Sequence, residues 1–156
     1  MIVRQAACAA LVEARATGAV GRLVALLEAP DPDPRVRAAA ASAILDLAPA
    51  DPVAIRALVR LLREPDPTLA DGVAARISAS SHPVVLAALR EALAAEAARS
   101  DAEIDRAVLF RLFLAWRRTS GRDAGYDPSM PPERVRALVA SLSPDAPATD
   151  HVPRAK

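Results

Sequence analysis

The sequence predicts an all-α chain of about four helix pairs, stacked one on the next. Three observations carry this. A nine-residue pattern recurs at near-constant spacing, Pro–Asp breaks fall at matching places between copies, and the chain is 53% hydrophobic but only 3% aromatic. The last calls for a core of Ala, Leu, Val and Ile, and Ala is the strongest helix former. A chain of 156 residues is long enough to bury such a core as one domain.

The recurring pattern is clearest at Val36 to Ile44, Val-Arg-Ala-Ala-Ala-Ala-Ser-Ala-Ile. Val3 to Leu11 superimposes on it without a gap, giving V-R-x-A-A-x-x-A-(L/I). Looser copies run from Leu69 to Ile77 and from Ile104 to Leu112, so the copies begin at 3, 36, 69 and 104. Between them lies a second element: Val20 to Leu27, Ile55 to Leu62, Leu86 to Leu93 and Val135 to Leu142. Apolar residues at i, i+3, i+4 and i+7 mark each as an amphipathic helix. The unit is therefore helix, turn, helix, with repeats at about 2–28, 34–63, 67–98 and 101–142.

The breaks agree. Pro32-Asp33-Pro34 and Pro65-Asp66-Pro67 follow Leu-Leu pairs that close helices, while Ala50-Asp51-Pro52 and Ser81-His82-Pro83 divide units internally. Asp caps a helix N-terminus and Pro suits its first turn. Ser100-Asp101 is expected to start the first helix of unit four, which should run to about Arg118. A Gly-, Asp- and Pro-rich connection, Thr119 to Pro132, precedes the last helix, and residues 143–156 read as a disordered tail.

The V-R-x-A-A first helix, the Asp-Pro turn before it and the L-V-x-L-L second helix resemble HEAT repeats, in the short bacterial form related to phycobilisome lyases. The resemblance covers residues 2 to 142, strongest in units one and two. It implies an α-α superhelix, with second helices on the concave side. It also implies a ladder of turn Asp with the Arg of Val-Arg, a role that Asp33 and Arg37 fit, with Arg4 at the equivalent place in unit one. Ala70 and Asp105 stand where that Arg belongs in units three and four.

Charge and chemistry narrow the function classes. A net charge of +1 supplies no field for nucleic acid or membrane, and since Lys156 is the only Lys, abundant Arg reads as a GC-rich coding bias. One cysteine, Cys8, fits a reducing, cytoplasmic setting, and no apolar run reaches the length of a membrane span. Cys8 aligns with Ala41 on an inward face, His82 precedes Pro83 at a helix start, and Gly72 reads as allowing close helix approach. No phosphate loop, carboxylate pair or metal-ligand spacing stands out, so neither catalysis nor a cofactor is expected.

Two surfaces remain. Arg56, Arg60 and Arg63 form one stripe on the second helix of unit two, read as an acidic-partner groove or as a solvated or locally paired face. The equivalent positions are Gly21, Ala25 and Glu28 in unit one and Ala87, Glu91 and Ala94 in unit three, so no continuous basic track is expected. Between Ala107 and Trp116 every residue but Arg111 is apolar. Phe110, Phe113 and Leu114 there are expected either to lie under the loop bearing Tyr126 and Met130 or to dock another chain. The expected function is a protein-binding adaptor or scaffold. A nucleic-acid-binding protein and a lyase-type accessory subunit are the alternatives. Self-association through the N-terminal edge or the Phe110 patch is a further expectation.

Overall fold

The computed structural model describes residues 2–29, 33–80 and 82–142. Eight α-helices follow in order: α1 (Ile2–Glu13), α2 (Val20–Glu28), α3 (Pro34–Leu47), α4 (Pro52–Arg60), α5 (Pro67–Ser78), α6 (Pro83–Ala97), α7 (Arg106–Ser120) and α8 (Pro132–Ser141). A 3-10 turn, Thr17–Ala19, leads into α2, and another, Leu61–Arg63, extends α4. No strand occurs among the described residues. The expected tail over 143–156 lies outside them.

The helices form two layers. First helices α1, α3, α5 and α7 pack in sequence, and second helices α2, α4, α6 and α8 pack in sequence beside them. One apolar core runs between the layers, from Leu23 and Leu27 through Ile44, Ile55 and Leu58 to Leu89, Leu109 and Val135. Ala40, Ala41, Ala43, Ala54, Ala57 and Ala70 are buried among them, so small side chains sit where neighbouring helices approach.

Helix starts are fixed by the expected residues. Asp33, Asp51 and Asp66 each accept a hydrogen bond from the backbone N–H two residues on, each followed by Pro in the first turn. His82 does the same through Nδ1, 3.3 Å from Val84 N. Two readings change. α7 starts at Arg106 under the Asp105 cap, whereas Ser100–Glu103 closes a separate turn with Ser100 Oγ donating to Glu103 at 2.6 Å. Gly72 is exposed with nothing within 4 Å of where a Cβ would sit, so it does not serve close helix approach.

Candidate functional site

All three arginines of the unit-two stripe are paired with carboxylates of neighbouring units. Arg56 makes a two-pronged contact with Glu91, Nε to Oε2 at 2.7 Å and Nη2 to Oε1 at 3.1 Å. Arg60 reaches Glu28 at 3.4 Å, and Arg63 reaches Glu96 at 2.8 Å. The hydrogen bond from Arg56 holds the Glu91 carboxyl below its ordinary value and raises the guanidinium in turn. The first two pairs are exposed and contribute little to stability.

Glu96 differs. It is fully buried on α6, and its Oε1 accepts from Asp105 N at 2.8 Å, which ties α6 to the start of α7. Its Oε2 faces Arg63 as an ion pair without hydrogen-bond alignment, and Arg99 stands 3.8 Å away. A buried carboxylate needs such compensation. This group is a structural knot joining units two, three and four.

Other arginines close helix ends. Arg37 Nη2 donates to Leu27 O at 3.1 Å, at the end of α2, and to Glu64 Oε1 at 2.8 Å. Ala70 holds the corresponding place in α5, and there Arg111 of α7 reaches back to Leu62 O and Glu64 O at 3.4 and 3.5 Å, with Asp71 at 3.3 Å. Arg136 of α8 donates to Ala97 O at 2.9 Å and Arg99 O at 3.0 Å and pairs with Asp101. Guanidinium groups thus satisfy last-turn carbonyls of α2 and α6 and the carbonyls that end unit two.

The apolar surplus of unit four resolves into two parts. Phe113 is buried, and Tyr126 from the α7–α8 connection stacks on it with ring centroids 4.3 Å apart and planes 9° from parallel. Ala124 and Met130 also pack against the core, so the connection covers that side of α7 as internal cover requires. Phe110 stays 49% exposed. It edges a small cleft lined also by Leu114, Arg117, Ala124 and Tyr126, with Asp123 3.7 Å from Arg117 at the rim. Leu114 is half-buried within it.

Residues 2–75 match the family model described as HEAT repeats. These residues belong to the HEAT-repeat family. The match spans α1 to α5, the stretch where V-R-x-A-A and L-V-x-L-L are clearest. No curated protein and no solved structure matches the chain. Beyond residue 75, the alternation of first and second helices continues through α8. No described helix is long and apolar enough to cross a membrane.

The HEAT register also explains which polar residues the sequence concealed. Glu28 lies at the register of Arg63 yet pairs with Arg60, and Glu91 lies at the register of Arg60 yet pairs with Arg56. Each pair is displaced by one helical turn, so comparison at equal positions does not reveal it. Opposite charge on neighbouring second helices was the available signal. Cys8 is buried, and burial raises its thiol above the ordinary value, which keeps it protonated.

Proposed function

We propose that the chain is a non-enzymatic protein-binding module whose unit-four cleft receives an apolar side chain of a partner protein. HEAT repeats commonly mediate protein–protein interaction. The observation that carries the reading is Phe110, 49% exposed on a helix whose other aromatic residues are buried. Exposed aromatic residues beside a pocket are typical binding anchors. The Arg117–Asp123 pair gives the cleft a polar rim that orients the incoming chain.

The arginine stripe supports this reading over nucleic-acid binding. With Glu28, Glu91 and Glu96 as partners, Arg56, Arg60 and Arg63 carry compensated charge. A backbone-tracking surface needs uncompensated cations. The non-enzymatic reading draws support from His82 and Cys8, which already serve as a helix cap and as core.

The test is capture of partner proteins by wild type and Phe110→Ser, with Phe113→Ser as the structural comparison. Phe110→Ser is expected to lose at least tenfold in binding while helicity and unfolding midpoint hold. Phe113→Ser is expected to destabilise by roughly 3–5 kcal/mol, as for removal of a buried Phe. Undiminished binding by Phe110→Ser would refute the cleft. Recovery of nucleic acid alone would reverse the functional ordering.

A further inference from the structure

We propose that the seam between α6 and α8 holds an acidic side chain of a partner polypeptide, with Arg90 as the group that receives the carboxylate. The seam shares no residue with the Phe110 cleft and is independent of it. The fifth position of the second-helix element is Val24, Val59 and Val139 in units one, two and four, and Arg90 in unit three. Ala57 and Leu61 of α4 lie towards α2. Val59, about half a turn round the helix from them, faces the α6 side and is 3% exposed. Arg90 lies on the same face of α6, towards α8, and lines a groove there with Val139 and Ala140.

The groove occupies the place where the earlier seams carry ion pairs. Between α2 and α4, Glu28 meets Arg60, and between α4 and α6, Arg56 meets Glu91. In the repeat register Ala94 and Ala140 take the places of Glu28 and Arg60, and Ala87 takes that of Arg56 with Ala140 again opposite. Ala87, Ala94 and Ala140 all line the groove. Glu133, the only carboxylate of α8, lies about two turns before Ala140 and cannot restore a rung.

Arg90 is thereby left as a cation without its counterpart. The other half-buried arginines have partners: Arg37 with Glu64, Arg111 with Asp71, Arg136 with Asp101, and Arg106 beside the Tyr126 phenol. Arg90 is half-buried and has no carboxylate partner among the described residues. Glu91 borders the groove, but both its oxygens are taken by the two-pronged contact with Arg56. A guanidinium partly withdrawn from water gains most from a carboxylate that meets its planar fork. The flanking alanine and valine methyls can bury apolar side chains beside that carboxylate and offer nothing to a free inorganic anion. From Ala87 to Ala94 the groove runs about 10 Å along α6, the span of about three extended residues. The occupant is therefore a short extended segment with Asp or Glu between small apolar residues.

Arginine side-chain NMR of the full chain, titrated with the capped peptide acetyl-Ala-Val-Glu-Leu-Ala-amide, tests this. The Arg90 Nε–H resonance is expected to shift with a Kd of about 1 mM, and the Gln analogue to bind at least tenfold more weakly. Arg90→Val restores the residue of the other units and is expected to abolish binding while the urea midpoint holds or rises. Arg90→Gln removes the charge without refilling the seam and is expected to bind equally poorly. Arg90→Glu is expected to reverse the preference in favour of the Lys analogue. Ala140→Glu puts a carboxylate on the groove wall and is expected to weaken the Glu peptide at least tenfold. No shift at Arg90 up to about 10 mM peptide overturns the proposal, as does equal binding of the Glu and Gln peptides or binding that survives Arg90→Gln. A shift by sodium acetate that matches the peptide's would make this a site for small anions and refute the peptide groove. A shift of Arg90 with protein concentration alone would assign the seam to a second copy and refute it equally.

Discussion

Arg63 and Gly72 show how one side chain acts differently from its neighbours in the same pattern. Arg63 looks like the third member of an even stripe, yet it alone faces a fully buried carboxylate. Arg63→Ala leaves Glu96 with Asp105 N–H and the more distant Arg99. The expected cost is about 1–3 kcal/mol, read as a lower urea midpoint. Arg56→Ala, on an exposed pair, is expected to leave that midpoint unmoved, and equal effects of the two substitutions would contradict the role given to Glu96. Gly72 sits mid-helix in α5 with open space around its missing side chain. Gly72→Ala is expected to stabilise by about 1 kcal/mol and raise Tm by roughly 2–4 °C. Both residues mark the limit of sequence reading at this scale. A stripe of like residues does not disclose which member has a buried partner, and a helical glycine does not disclose what lies over it.

At the scale of elements, the sequence was most legible where Asp precedes Pro and least legible where unit four departs from that grammar. Asp33, Asp51 and Asp66 start their helices as the pattern implies, because the cap and the proline act locally. The Ser100–Glu103 signal formed its own turn instead, and Asp105 capped α7, with Glu96 of α6 holding Asp105 N. That tertiary contact has no local signature. The connection after α7 was recognised as a potential cover, but the stacking of Tyr126 on Phe113 depends on a geometry that composition does not encode.

Tyr126 makes the cover measurable. Burial raises its phenol above the ordinary value, partly opposed by the Arg106 guanidinium beside it. A folded value above the unfolded one means that the neutral phenol favours the folded state. This stability is intact below the unfolded value of about 10 and is lost as pH rises through the raised folded value. Tyr126 is the only tyrosine, so tyrosinate absorbance reports this site alone. Its midpoint is expected above that of the urea-unfolded chain and to fall towards it in Phe113→Ser. Equal midpoints for folded and unfolded wild type would show the connection standing open.

Across the whole molecule, stability should follow position along the stack, since repeats pack mainly against their neighbours. Burial already shows the gradient. The helices α3 to α7 each bury five or six residues, whereas α8 buries Val135 alone. In α1, Cys8 is the buried residue among those described. The terminal elements therefore have the least apolar burial to oppose local opening. Hydrogen exchange is expected to show the slowest amides in α4 and α5 and faster exchange in α8 and α1. The inter-unit ties through Arg111 and Glu96 should keep units two to four exchanging nearly together, because each spans a repeat boundary. Protection in α1 that equals α4 would mean that the first unit is held by something other than its seam with α3, and the positional account of stability would fail there.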